Sequence, residues 1–168
     1  MKRRSDNAYK LAQYIILWII GGFSYVLLEI LYRGRSHWSM AIVGGLCFIS
    51  VGALNEPRKH CRPKAFEEQA VMGALVTTII EFISGLIINV YLKWEVWDYS
   101  NTPFNILGQI CLPFTLIWVV IAAIAIILDD LLRHILFLKP LTKYWFLCVH
   151  KEIDVFEFWK HHICKHFR

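Results

Sequence analysis

Four apolar runs, each close to the thickness of a bilayer when coiled into a helix, constrain this chain before anything else does. The plainest covers residues 106–128, whose core reads LIWVVIAAIAIIL. A helix rises about 1.5 Å per residue and the hydrocarbon layer is about 30 Å thick, so about 20 apolar residues cross it. The other runs cover residues 9–32, interrupted by Gln13 and Glu29 beyond the Lys10 at its start; residues 38–55, short and glycine-rich (AIVGGLCFISVGALN); and residues 70–92, with one charge, Glu81. The expected fold class is therefore an all-α integral membrane protein, a four-helix transmembrane domain over residues 1–138. Composition agrees: 57% of residues are hydrophobic and only 18% charged, against about 25% charged in soluble domains.

The basic residues give the expected orientation. Fifteen of the eighteen Lys and Arg lie in the N-terminal stretch, in the connection between the second and third runs, and after the fourth run. Only Arg33, Arg35 and Lys93 occupy the other two connections. By the positive-inside rule both termini face the cytoplasm. The net charge of +5 then reflects topology and contact with anionic lipid, and no nucleic-acid partner is expected, because the bases are spread over three membrane-side segments. The first run is too long for a signal-peptide core and lacks a small-residue cleavage pattern, so it reads as a retained helix. Residues 139–168 read as a basic cytoplasmic tail. From Glu152 onward Ile153, Phe156, Trp159, Ile163 and Phe167 recur at helical spacing, the pattern of an amphipathic helix for the inner leaflet or a partner protein. The five cysteines form no CxxC pair and read as free thiols.

Chemistry concentrates at two places. Glu81 stands at the middle of the third run, where a carboxylate is costly and turns toward the bundle interior. It reads as a substrate, ion or proton site, or else as a glutamate hydrogen-bonded across helices; Glu29 and Asn89 join it as candidate site residues. Glu29, one turn before Arg33, reads equally well as an intrahelical ion pair. The second place is WEVWDYSNTPFNILGQICL, residues 94–112, packed with aromatic and polar side chains between two apolar runs. Trp and Tyr favour the membrane–water interface, so an aromatic belt accounts for part of it. The remaining polar residues point to an outer gate formed by Arg33, Arg35, His37, Trp97, Asp98, Tyr99 and Asn105. In that reading the loop folds back over the bundle, Trp97 and Tyr99 seat in the interface, Asp98 faces the cationic loop, and Asn105 caps the fourth helix. Asp129 and Asp130 end the fourth run on the cytoplasmic side, where a solvated helix end explains at least one of them. His162 and His166 stand four residues apart, but no further ligand follows at a regular spacing, so no metal is expected. There is no P-loop, G-x-S-x-G or HExxH, and no cofactor is expected.

Several strings together resemble one family. LLEILYRGRSHWSM followed by GGL, EFISG, and WDYSNTPFNILGQICL followed by a tryptophan are similar to the small bacterial membrane proteins described as putative ABC-transporter permeases, the CmpB-like, type IV group. The resemblance covers roughly residues 20–130. The matching positions are Glu29, Arg33, Gly34, His37, Trp38, Met40, Gly44, Gly45, Glu81, Gly85, Trp97, Asp98, Tyr99, Ser100, Asn105, Gly108 and Trp118. It implies the membrane subunit of a transporter in a bacterial cell membrane, acting as a homo-oligomer and with a separate ATPase subunit. The expected function is transport of a small or lipid-linked solute, with Glu81 inside the membrane and the two loops as its gate. The alternative is an integral-membrane enzyme or a lipid-binding protein without transport.

Overall fold

The structure, a computed structural model, describes residues 2–55, 65–140, 142–146 and 151–153. Two helical hairpins build it. Helix α1 (Lys2–Arg33) pairs with α2 (Trp38–Asn55), and α3 (Phe66–Gly85) pairs with α4 (Leu112–Phe137). The α1–α2 turn is short because Gly34 takes a left-handed φ of +72° and its N–H bonds back to Ile30 O at 2.8 Å, the usual glycine stop for a helix. At the start of α3 the Glu68 carboxylate accepts the Ala65 N–H at 3.2 Å. After Gly85 the helix widens into a π-helical segment, Leu86–Tyr91, in which Leu92 N–H reaches Ile87 O at 2.9 Å.

Helix α2 is the hub, touching all three other helices, while α1 and α4 meet only sparingly. Small residues let α1 and α2 approach. A Cβ on Gly22 would sit 2.2 Å from the Ala41 carbonyl oxygen, and one on Gly45 would sit 2.5 Å from that of Trp18. In lipid, where apolar side chains gain nothing by leaving their surroundings, such close backbone contact is the main source of helix association. The outward faces are accordingly apolar: Phe23, Leu27 and Leu31 on α1, and Leu112, Leu116, Val120 and Ile124 on α4, are all exposed.

Three helical stretches are long and apolar enough to cross a membrane: Asn7–Arg33, Phe66–Tyr91 and Leu112–Phe137. The second expected span, residues 38–55, is a shorter apolar helix, Trp38–Leu54, lodged among the others. The expected fourth span, residues 106–128, is displaced. Pro113 stands in the first turn of α4 after an extended Cys111, a position where its missing N–H costs nothing, and α4 continues to Phe137. Residues 105–111 instead form a small antiparallel hairpin, β1 (Asn105–Ile106) against β2 (Ile110–Cys111). Past α4, β3 (Tyr144–Phe146) pairs with β4 (Lys151–Ile153). The amphipathic helix expected from Glu152 therefore meets a strand at its first two residues, and residues 154–168 lie outside the described residues.

Candidate functional site

Glu81 is 3% exposed, and both its oxygens are occupied. Tyr25 Oη, from α1, donates to Oε1 at 2.8 Å, and Trp118 Nε1, from α4, donates to Oε2 at 2.7 Å. The two donor rings stack with centroids 5.6 Å apart. One carboxylate thus joins α1, α3 and α4 at mid-bundle. A lone carboxyl group in hydrocarbon would be very costly; two donors from rigid rings reduce that cost and hold the group in one orientation. Sequence reasoning did not single out Tyr25. The available signal was a phenol inside an apolar run, since a buried Tyr O–H needs an acceptor.

Toward the loop end of the bundle, Val96 and Trp97 are buried in one cluster with Tyr25, Met40, Val43, Cys47 and Ile88. The stretch from Trp94 therefore folds back over the helices. Three polar side chains fasten it. Asn89, on the π segment, donates through Nδ2 to Trp97 O at 3.0 Å and to Gln109 Oε1 at 2.9 Å, and accepts the Val96 N–H at 2.8 Å. Trp97 Nε1 donates to Gln109 O at 3.0 Å. Arg33 Nη1 donates to Val96 O at 3.1 Å while Nη2 pairs with Glu29, which also accepts from Ser36 Oγ. Gln109 lies against Gly85, where a Cβ would come within 2.5 Å of its Oε1.

Several expected roles change. Trp97 is 5% exposed, so it is a core residue and no interfacial anchor; Trp38 and Trp94, both exposed, flank His37 instead, with centroids 5.4 and 5.3 Å from its ring. Asp98 does not face the cationic loop. Its Oδ1 accepts the Ser100 N–H at 2.8 Å and the Ser100 hydroxyl, a local turn that satisfies the carboxylate two residues away. Those bonds hold its pKa below the ordinary aspartate value. Arg33 takes Glu29 and a backbone carbonyl as partners, Arg35 is exposed, and His37 Nδ1 bonds Ser39. Asn105 does not cap α4. Its Nδ2 donates to Ser100 O and Thr102 O, and its Oδ1 accepts the Gly108 N–H, so it braces the loop from within. Tyr99 stacks on Phe114 at 4.7 Å, and burial pushes its hydroxyl pKa up.

Two further features frame the site. Between α1 and α4, with α2 as floor, lies a mainly apolar slot of about 100 Å³ whose walls include Tyr25, Trp118, Cys47, Phe48 and Ala125. At the opposite end of the bundle Asp129 and Asp130 are buried, contrary to the expectation of a solvated helix end. Arg133 Nε donates to Asp129 at 2.6 Å, the Tyr144 hydroxyl donates to Asp130, and the Arg133 guanidinium lies 5.5 Å from the Tyr14 ring centroid. Helix α4 runs on past residue 128, so these charges face the bundle and the β3 strand.

A family model described as putative ABC-transporter type IV matches residues 12–156. That is most of the 168 residues, and the chain belongs to this family. No curated protein and no solved structure matches it. Family and apolar helices together make it a membrane protein with a transport-related role.

Proposed function

We propose that this member of the type IV ABC-transporter family is the membrane component of a transporter for a small or lipid-linked solute. In this reading the bundle stands in the bacterial cell membrane with both termini in the cytoplasm. Glu81 is the intramembrane polar site, with Glu29 and Asn89 lining the route to it, and the fold-back loop is its outer gate. The observation that carries the reading is the Tyr25–Glu81–Trp118 cluster. A carboxyl group at mid-bundle, held by two aromatic donors directly beneath a tightly fastened loop, fits a guarded polar station better than a purely structural bond. Opening would require the Asn89, Gln109 and Arg33 contacts to exchange partners. The apolar slot beside Tyr25 and Trp118 supports the lipid-linked branch, because it offers a hydrocarbon group a place next to the two donors of the carboxyl group. Four spans are few for a permease, which favours a homo-oligomer, and the family favours a separate ATPase subunit.

The test is purification of the tagged full chain from its native membrane in mild detergent, followed by reconstitution and ATP-hydrolysis measurement. Co-purifying, vanadate-sensitive hydrolysis that Glu81→Gln uncouples from flux across sealed vesicles is the expected result. A folded chain that carries no ATPase and supports no flux would overturn the proposal. The orientation is tested apart from it: a cysteine at Asn101 should react with an impermeant reagent from outside, and one at Lys151 should not.

A further inference from the structure

The hairpin before α4 has two unlike faces. Inward, Gln109 and Cys111 are buried at 6% and 3% exposure. Outward, Phe104, Ile106 and Leu107 are 79%, 54% and 69% exposed. Its turn runs from Ile106 to Gln109, closed by Gln109 N–H to Ile106 O at 3.0 Å, with Leu107 at φ +52° and Gly108 at φ +66°. Two successive positive φ values are the pattern of a mirror-image hairpin turn, whose first central position favours Asn, Asp or Gly. Here that position is Leu. Phe104, at the hairpin's entry, also sits at positive φ, +55°. Left-handed backbone at large apolar residues is strained. Placing those side chains in water would add to that cost; placing them in hydrocarbon would offset it.

Their position favours the second environment. Leu112 N–H contacts Phe104 O at 3.3 Å, so the hairpin abuts the start of α4, and Leu112, Leu116, Val120 and Ile124 continue the exposed apolar surface at steps of four residues along that helix. The stripe is the lipid-facing side of a helix long enough to span, and the hairpin extends it beyond the helix end. The loop's exposed polar residues, Asp98, Ser100 and Asn101, precede the apolar tip in the chain. We infer that the hairpin tip of Phe104, Ile106 and Leu107 is a membrane-surface anchor, inserted at the headgroup–acyl boundary of the leaflet at the loop end. It takes the place the sequence assigns to Trp97. The loop is thereby fastened on two sides, to the bundle through Trp97 and Asn89 and to lipid through the tip, so opening the loop would pull apolar groups out of the leaflet or carry them sideways within it.

Photo-cross-linking in the native membrane tests this on the full chain. p-Benzoylphenylalanine replaces Leu107, or Phe104, or Asn101 as the water-facing control, and products are read by mass spectrometry. Lipid adducts at 107 and 104 but not at 101 are expected. A cross-linked dimer at 107 would mean that a second copy covers the tip, no adduct at any site would mean that it stands in water, and equal yields at all three would mean that it meets lipid no more than the control does; each overturns the inference. Leu107→Asn supplies a second reading. Asn suits the turn, so the chain should fold, and loss of most of the adduct from a probe at 104 is expected. An undiminished yield there would show that Leu107 does not hold the tip in lipid.

Discussion

Removing the Tyr25 hydroxyl is the most direct trial of the Glu81 cluster. Tyr25→Phe keeps the ring that stacks on Trp118 at 5.6 Å and deletes only the donor to Glu81 Oε1. Two magnitudes compete. A hydrogen bond to an ionised group contributes about 1.5–3 kcal/mol, whereas side-chain hydrogen bonds inside membrane proteins average about 0.6 and reach about 1.7 kcal/mol in mutant cycles. The loss therefore also reports the state of the carboxyl group: above about 2 kcal/mol it is charged, below about 1 kcal/mol it is neutral. Glu81→Gln is the companion change. A glutamine keeps one acceptor oxygen, which must face Trp118 because indole N–H can only donate; its amide then turns to Tyr25, whose hydroxyl oxygen can accept. The single Gln variant should fold, and Glu81→Leu, which loses both bonds, should be worse. The assay is reversible unfolding of the full chain in mixed detergent, read by tryptophan fluorescence, for both single changes and the pair. The double change should cost less than the sum of the singles. Strictly additive losses would falsify the contact.

Four more expectations follow from the same geometry. Arg33→Ala strips the buried-side partner from Glu29 and the donor from Val96 O, at about 1–3 kcal/mol, and Arg33→Lys should not restore it, since one ammonium cannot reproduce the guanidinium fork; protease cutting within the loop reads both. Asn89→Asp leaves Trp97 O and Gln109 Oε1 without their donor and brings a carboxylate to face them, at about 1–3 kcal/mol for each orphaned group, seen as a lower melting temperature in detergent. The Asp98 pKa is lowered on folding, so its turn is intact above the ordinary aspartate value of about 3.9 and is lost only as pH falls through a lower one; loop labelling at Asn101 should be flat from neutral to mildly acidic pH, and a transition near neutrality would contradict the assignment. Gly22→Ala would put a methyl 2.2 Å from the Ala41 carbonyl, forcing α1 and α2 apart at about 1–3 kcal/mol, with thermal unfolding as the check.

Hydropathy reveals helices in membrane proteins because burial in lipid demands length and apolarity, and here it located all four. It did less well at their ends. The apolar run from residue 106 gave little sign that six residues would turn as a hairpin; Gly108 and Pro113 were the local stop signals. Glu81 was visible because a mid-run carboxylate is rare, but its partners were not, since nothing in the sequence ties Tyr25 or Trp118 to the acid until a fold brings them together. Asp98 was assigned to the nearest cations by charge, yet Ser100 satisfied it first, because a turn two residues long costs almost no chain entropy to close. Trp97 and Trp94 look alike in sequence. Only the Asn89–Gln109 brace separates the buried ring from the exposed one.

The widened turn at Leu86–Tyr91 has a consequence for how this helix tolerates change in length. A π turn holds one residue more than the α ladder needs, so it behaves as a shift of reading frame within the backbone. Deleting one residue there would let the ladder close as ordinary α-helix and leave the turns on either side close to their present phase. Glu81, upstream, would keep its place between Tyr25 and Trp118, and the end of the helix would still meet the loop. The same deletion in a regular α stretch would turn everything beyond by about 100° and carry Asn89 away from Val96, Trp97 and Gln109. The wide turn is thus the one place between the carboxyl station and the clasp where the chain has length to spare.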